Sequence, residues 1–266
     1  MSAQPYVIRD SATMLRRNFR HMMRYPSVSL LVIGIPVILL LLFVYVFGGT
    51  LGAGLGVVQG STAYVDYVTP GIVLIAIAGA AQGTAISAAM DMHEGIITRF
   101  RTMGIARASV LVGHVVGSTI QTMVGLAIVI GVAMLVGFRP NATVVEWVAT
   151  AGVLLMITIA IAWLSVALGL FPDSVEAASN LPMPLILLPF LSSGFVPTES
   201  MPAGIRWFAE FQPFTPFIET LRGLLMGTAI GSSALLSSVW CASIAFVGFR
   251  WAMRLYDRGS SRSRGR

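Results

Sequence analysis

Residues 147–172 read WVATAGVLLMITIAIAWLSVALGLFP, a run of 26 residues without a charged side chain. A helix needs roughly 20 apolar residues to cross the hydrocarbon core of a bilayer. Hydrocarbon offers no hydrogen-bond partner to the backbone, so the chain must pair its own N–H and C=O groups there. This stretch therefore predicts a transmembrane helix over residues 147–170.

Five further uncharged runs of comparable character occupy much of the chain, at 25–65, 67–90, 108–138, 177–198 and 223–249. Each contains an apolar stretch near the length that a membrane helix requires. The predicted spans are 28–48, 67–90, 108–137, 147–170, 180–197 and 232–250. The sequence therefore predicts an all-α integral membrane protein with six transmembrane helices.

The composition excludes a soluble enzyme and a disordered chain. Of the 266 residues, 56% are hydrophobic and 11% are charged, and the mean hydropathy is +0.84. Soluble domains carry about 25% charged residues. A water-soluble fold of this size has too much exposed surface to hide such an excess of apolar residues.

The 17 basic residues are all arginine, and the chain has no lysine. A phosphate-binding P-loop needs a lysine that reaches the nucleotide phosphates, so this subunit has no such loop. Schiff-base catalysis is excluded for the same reason. Cys241 is the only cysteine, and His21, His93 and His114 are scattered. We therefore expect no metal site and no cofactor held by this chain.

The arginines also predict the orientation of the spans. With six spans both termini lie on one side, and fourteen of the 17 arginines fall on that side, while Arg139, Arg206 and Arg222 fall on the other. Cytoplasmic loops are enriched in basic residues. We therefore expect a multi-pass protein of the bacterial inner (plasma) membrane with both termini in the cytoplasm. This placement also accounts for the net charge of +6 without a nucleic-acid partner, which is the weaker interpretation.

The two ends of the chain are expected to lie on the cytoplasmic side. Residues 1–27 form a leader, in which 8–24 pattern as an amphipathic helix lying in the headgroup plane; a mobile basic leader is the alternative. The transmembrane domain covers 28–253, and 254–266 form a basic tail. The lipid bilayer is thus the first predicted partner.

The largest cytoplasmic connection is the loop at 91–107. Met92, Ile96, Phe100 and Met103 form one stripe of a short helix within it. Such a stripe suits the groove of a partner protein, and it equally suits a turn that rests on the bilayer surface.

Prolines interrupt the fifth predicted span and mark the segment that follows it. Pro182, Pro184, Pro189 and Pro197 remove backbone donors from 180–197. Beyond them, two short amphipathic pieces fit at 201–211 and 215–227. We expect a re-entrant hairpin of half-helices over 198–230 that dips into the outer leaflet. The alternative is a helix lying flat on the outer surface.

Neutral polar residues in spans two and three are candidates for a translocation path. They are Gln82, Thr84, Ser118 and Gln121. Such groups prefer protein or water to lipid, so they line a path or tie helices together. Gly79-x-x-x-Gly83 and Gly113-x-x-x-Gly117 suit either packing within one subunit or a dimer seam. No carboxylate lies at the centre of a span, which disfavours an ion-driven transporter.

Three stretches resemble one family, the type-2 permeases of ATP-binding-cassette (ABC) transporters, and especially its daunorubicin-resistance-like drug exporters. Asp66–Gly71 resembles the family's entry to its second span, and residues 94–107 resemble its coupling loop. Residues 181–223 resemble its signature across the fifth span and the following hairpin. The residues that match this structural signature are Pro70, Gly71, Pro182, Gly194, Pro197, Pro202, Pro213 and Arg222.

The resemblance implies a division of labour. A separate cytoplasmic ATPase, in two copies, would bind ATP and Mg, and two permease copies would form a homodimer around the pathway. This subunit would not itself be an enzyme. The residues expected to couple it to the ATPase are Asp91, Glu94, Gly95, Arg99, Phe100 and Arg101.

The resemblance also implies outward movement of a hydrophobic or amphipathic small molecule, either drug-like or lipid-like. An alternative cargo within the family is a polysaccharide or a lipid-linked glycan. An ion-coupled secondary transporter is a third interpretation, disfavoured because the sequence shows no inverted repeat and no intramembrane carboxylates.

Overall fold

The computed structural model describes residues 26–49, 60–93 and 107–262, with side chains described in 33–49, 64–92 and 110–256. In these ranges the regular structure is helical. Four helices are long and apolar enough to cross a membrane by length and composition. They are α2 (Gly60–His93), α3 (Arg107–Val136), α4 (Val144–Leu170) and α9 (Ser233–Arg262). The described part of the chain is therefore all-helical and of membrane type.

These four helices correspond to predicted spans two, three, four and six. The predicted ends of α3 and α4 lie within three residues of the observed ones, whereas α2 begins seven residues before its prediction and α9 ends twelve residues after it. The first predicted span, 28–48, is the shorter helix α1 (Pro26–Leu41), which continues as a π-helical turn over Leu42–Val46. Pro36 lies inside α1.

The fifth predicted span is not a continuous helix. Residues 175–191 form α5 (Val175–Asn180), α6 (Met183–Leu187) and a 3₁₀ turn over Leu188–Leu191. Pro182, Pro184 and Pro189 fall at or within these short pieces, and each removes a backbone donor. The prediction that each of the six spans is a continuous helix therefore does not hold for this segment.

The predicted half-helices are present with shifted ends. After a 3₁₀ turn at Thr198–Ser200, α7 covers Ala203–Phe211 and α8 covers Phe214–Met226. Gly227 ends α8 in the left-handed conformation with φ of 71°. Glycine adopts this conformation without steric cost, which makes it a common helix terminator.

Side chains cap the starts of α4 and α5. At the start of α4, the Thr143 N–H donates to the Glu146 carboxylate over 2.6 Å, and the Glu146 N–H donates to the Thr143 hydroxyl over 3.4 Å. This reciprocal pair satisfies backbone donors that the first helical turn leaves unpaired. Ser174 caps α5 in a similar way, accepting from the Ala177 N–H over 3.1 Å.

Helices α2 and α4 form the centre of the bundle. About two thirds of the apolar segment of α2 is buried (67%), and 61% of that of α4, against 33% for α3 and 22% for α9. Close approaches at glycines hold α4 against its neighbours, where Gly169 lies against Ala85 of α2 and Gly248 of α9 lies against Leu164. The outer helices α3 and α9 keep large apolar faces exposed, as expected of helices that contact lipid.

Two predicted elements lie outside the described residues: the interfacial helix at 8–24 and residues 94–106 of the coupling loop. One boundary is corrected, because α2 continues to His93 and Asp91 therefore lies in a helix rather than in a loop. The tail also begins as helix, since α9 continues to Arg262.

We expect Gly169→Ala to destabilise the fold. A Cβ atom at this position would lie 2.3 Å from the carbonyl oxygen of Ala85, which is backbone and cannot move aside locally. Overpacking of this kind costs about 1–3 kcal/mol. The melting temperature of the purified protein in detergent should fall.

The matched control is Gly152→Ala in the same helix, where the added Cβ has no atom within 4 Å. Its effect should be neutral or slightly stabilising, because alanine favours helix by roughly 0.5–1 kcal/mol over glycine. Equal melting temperatures for the two variants would show that α2 and α4 do not approach closely at Gly169.

Candidate functional site

An arginine of the hairpin joins three separate parts of the chain. The Arg222 Nη2 of α8 donates to the Ser193 carbonyl over 2.8 Å and to the Tyr67 carbonyl over 3.2 Å. The guanidinium carbon also lies 4.0 Å from the centroid of the Tyr67 ring. The Tyr67 hydroxyl donates to the same Ser193 carbonyl over 3.0 Å. We call Tyr67, Ser193 and Arg222 the Arg222 cluster.

Carbonyl groups and an aromatic ring contact the Arg222 guanidinium. Among the described residues, no ion pair involves Arg222. Glu219, one turn earlier, accepts a 2.6 Å hydrogen bond from the Ser233 hydroxyl at the start of α9, and its negative charge favours the Arg222 cation from beyond ion-pair distance. Two carbonyl dipoles and the face of an aromatic ring are favourable partners for a guanidinium. The positive charge is therefore used to hold α8 against α2 and against the turn at Ser193.

Two glycines let α2 and the turn come into contact beside this cluster. A Cβ atom on Gly71 would lie 3.1 Å from both the Cα and the carbonyl oxygen of Gly194. A Cβ atom on Gly194 would lie 3.0 Å from Ile218 of α8. The two signature glycines are thus required by close backbone approach where α2, the turn and α8 meet.

The turn after α6 obtains its remaining hydrogen bonds from the hairpin. The Gln212 side-chain amide donates to the carbonyls of Leu188 and Leu191 over 3.1 and 2.7 Å. The Ser193 N–H donates to the Thr215 hydroxyl over 3.4 Å. These bonds serve backbone groups that the broken helix leaves without helical partners.

The signature prolines begin helices or lie inside one. Pro70 lies within α2, where it removes one backbone donor. The other four stand immediately before helical segments, as proline does when it presets the first turn. They are Pro182 before α6, Pro197 before the 3₁₀ turn, Pro202 before α7 and Pro213 before α8.

Sequence reasoning did not single out Tyr67, Ser193, Gln212 or Thr215 as site residues. One signal was present, because a proline-interrupted segment needs side-chain donors for the carbonyls that its lost helical bonds leave free. Which donors would reach the turn at Ser193 depended on the approach of α8, and no residue spacing specifies that approach.

Three of the four path candidates lie at helix–helix contacts. The Gln82 side-chain amide donates to the Ser179 carbonyl over 3.0 Å and so ties α2 to α5. Thr84 of α2 and Ser118 of α3 share a hydrogen bond between their hydroxyls. Gln121 is half-buried on α3. The contacts match the alternative that these groups tie helices together, and a path along them stays a prediction.

The end of α2 opposite the Arg222 cluster carries a contact between a carboxylate and an imidazole. Asp91 Oδ2 lies 3.1 Å from His114 Nε2 of α3, and both side chains are 10% exposed. The two residues flank the 94–106 segment on either side. The remaining coupling candidates, Glu94, Gly95, Arg99, Phe100 and Arg101, lie outside the described residues.

The hairpin helix α7 exposes an aromatic face. Trp207 and Phe211 are 65% and 64% exposed, and their ring centroids lie 5.3 Å apart. On the polar face, Arg206 Nε donates to Glu210 over 2.7 Å, and this hydrogen bond raises the pKa of Arg206. An exposed aromatic face beside a charged one is typical of a helix at a membrane–water interface.

The glycine pair Gly79 and Gly83 faces open space, because a Cβ atom on either would meet nothing within 4 Å. No described neighbour therefore approaches the Cβ side of these two glycines. Their use as a dimer seam stays a prediction.

A family model described as ABC-2 type transporter matches residues 10–226 of this chain. The chain is 28% identical over 240 residues to the daunorubicin resistance ABC transporter permease protein DrrB1 of Streptomyces coeruleorubidus, covering 90% of this chain and 81% of that protein. It is also 28% identical over 242 residues to the "probable doxorubicin resistance ABC transporter permease protein DrrC" of Mycobacterium tuberculosis, covering 88% and 84%.

We expect Arg222→Met to destabilise the protein by about 3 kcal/mol, because the change keeps apolar bulk but removes hydrogen bonds from a charged donor, each typically about 1.5–3 kcal/mol. The stability of Arg222→Lys should fall between that of the wild type and that of Arg222→Met, because lysine keeps the charge but lacks the planar guanidinium fork. The measurement is the melting temperature in detergent.

Arg206→Met is the matched control, because its ion pair is exposed. Exposed pairs contribute about 0–1 kcal/mol. If Arg222→Met and Arg206→Met melted at the same temperature, the Arg222 cluster would not hold the hairpin in place.

Proposed function

This chain belongs to the ABC-2 type transporter family, and we propose from that premise that it is the membrane subunit of an exporter powered by a separate ATPase. The observation that carries the proposal is the family match across 10–226 together with similarity to two drug-resistance permeases. The long apolar helices support its placement as a multi-pass membrane protein.

The energy source is a partner protein in this proposal. The sequence has no lysine and therefore no P-loop of its own, so ATP and Mg bind to the ATPase. Two ATPase copies and two permease copies, the latter as a homodimer, would complete the transporter. Gly79 and Gly83 offer the close-packing surface that such a homodimer could use.

Coupling would pass through the segment between α2 and α3. Glu94, Gly95, Arg99, Phe100 and Arg101 lie in this segment, in contact with the ATPase. The Asp91–His114 contact and the Thr84–Ser118 hydrogen bond join the two helices just above it. A push on the segment would therefore act on both α2 and α3.

The cargo in this proposal is a hydrophobic or amphipathic molecule, drug-like or lipid-like, that moves outward. Two observations support it: the resistance names of the relatives and the neutral character of the polar groups on α2 and α3. Gln82, Thr84, Ser118 and Gln121 would line the path only after the helices separate from their present contacts.

The topology completes the proposal, with six crossings and both termini in the cytoplasm. The broken segment from α5 to Leu191 makes the fifth crossing, and α7 and α8 form a re-entrant hairpin in the outer leaflet. The exposed aromatic face of α7 supports this position. The Arg222 cluster then lies near the outer end, and the Asp91–His114 pair lies near the inner end.

Cysteine labelling tests the topology in a Cys241→Ala background. Asn141→Cys and Ala229→Cys lie at exposed positions on the proposed outer side, and Glu176→Cys lies at an exposed inner position. A membrane-impermeant thiol reagent should label the first two in intact cells and the third only after permeabilisation. The reverse pattern would place the termini outside.

The functional test is cargo transport by the purified pair of permease and ATPase in proteoliposomes, with Glu94→Ala and Arg99→Ala variants. We expect ATP-dependent accumulation of a doxorubicin-type fluorescent drug. Each variant should lower the number of drug molecules moved per ATP hydrolysed, because the mechanical contact is weakened.

Glu210→Ala is the control, since this carboxylate is exposed on α7 at the proposed outer side, and it should leave the ratio unchanged. Full transport without the ATPase would overturn the proposal. Unchanged coupling in both loop variants would remove the 94–106 segment from the mechanism and leave the subunit assignment intact.

A further inference from the structure

The exposed face of α9 near its C-terminal end forms an open groove of about 500 Å³. Its lining is Phe246, Val247, Arg250, Trp251 and Arg254. The opposite face of this helix, at Gly248 and Ala252, is buried and packs towards α4. The groove therefore faces away from the bundle.

The apolar and the basic residues of the groove lie at different positions along the helix axis. Phe246, Arg250 and Arg254 are spaced four residues apart, so successive members lie about 6 Å apart along the axis. The apolar pair Phe246 and Val247, 66% and 57% exposed, lies on the side of the membrane interior. The two guanidinium groups lie towards the C-terminus, and Trp251 lies between the apolar and the basic groups.

Neither arginine forms an ion pair with a carboxylate among the described side chains. α9 has no Asp or Glu between Ser233 and Tyr256, and its Asp257 lies outside the described side chains. Like charges four residues apart on a helix repel each other. An anion placed between them would be attracted by both.

We propose that this groove binds one anionic phospholipid from the leaflet that faces the C-terminus. Arg250 and Arg254 hold the phosphate, which matches the planar donor fork of arginine. Phe246 and Val247 contact the first part of an acyl chain. Trp251 lies at the interface, the depth that tryptophan prefers.

A lipid fits better than a free phosphate, because the apolar layer continues from the arginines into the membrane interior. It also fits better than an acidic protein segment, which would cover the arginines but leave Phe246 and Val247 exposed. The Trp251 ring lies 5.6 Å from the Phe171 ring at the end of α4. A bound lipid would therefore contact the junction of α4 and α9.

The test is native mass spectrometry of the purified full chain after exposure to equal amounts of phosphatidylglycerol and phosphatidylcholine. The wild type should retain phosphatidylglycerol about tenfold more, equivalent to about 1.4 kcal/mol. The double variant Arg250→Gln/Arg254→Gln should lose this preference. Phe246→Ala/Val247→Ala should retain less of both lipids.

The matched control is Arg139→Gln/Arg206→Gln, which removes the same charge from the other end of the bundle and should keep the preference. Equal melting temperatures show that the groove variants fold. Three results would overturn the proposal: equal retention of both lipids by the wild type, displacement of the lipid by millimolar sn-glycerol 3-phosphate, or an altered monomer–dimer ratio in the arginine variant without lipid loss. The second would indicate a free-phosphate site, and the third a contact between two copies.

Discussion

The constraint on which this structure depends is that every backbone polar group in hydrocarbon must find a partner within the protein. Four long helices meet the constraint with their own internal hydrogen bonds. The proline-interrupted segment after α4 cannot do so. Its backbone carbonyls instead accept hydrogen bonds from side chains of the hairpin, chiefly the Gln212 amide and the Arg222 guanidinium.

These hydrogen bonds explain why the hairpin and the broken segment form one unit. Arg222 reaches both the turn at Ser193 and the Tyr67 carbonyl of α2, and the glycines at 71 and 194 bring the two backbones together. A segment that would be unstable alone in a membrane is thereby held by α2 and α8. The opposite end of α2 is linked to α3 through the Asp91–His114 contact and the Thr84–Ser118 bond. It also contacts α4, where Gly169 lies against Ala85, and α5, through the Gln82 amide.

The two ends of the bundle are held by different kinds of contact. In the proposed transporter, the end beside the 94–106 segment receives the movement of the ATPase through α2 and α3, and α2 transmits it to α4 and α5, which it contacts there. At the other end, the Arg222 cluster joins α2, the turn at Ser193 and α8.

The hydropathy of the sequence and the spacing of its arginines by themselves determined the helical membrane class and the location of the long helices. The absence of lysine determined that the chain has no P-loop. The motif resemblance found the family. These properties follow from local rules, because hydrocarbon selects helices by length and polarity alone. Only the tertiary structure decided that Asp91 lies in a helix facing His114, that Gln82 and Thr84 bond to neighbouring helices, and that Tyr67, Ser193 and Arg222 meet. Those contacts join residues up to 155 positions apart, and they depend on how the helices approach one another, which is a sum over the whole packed bundle.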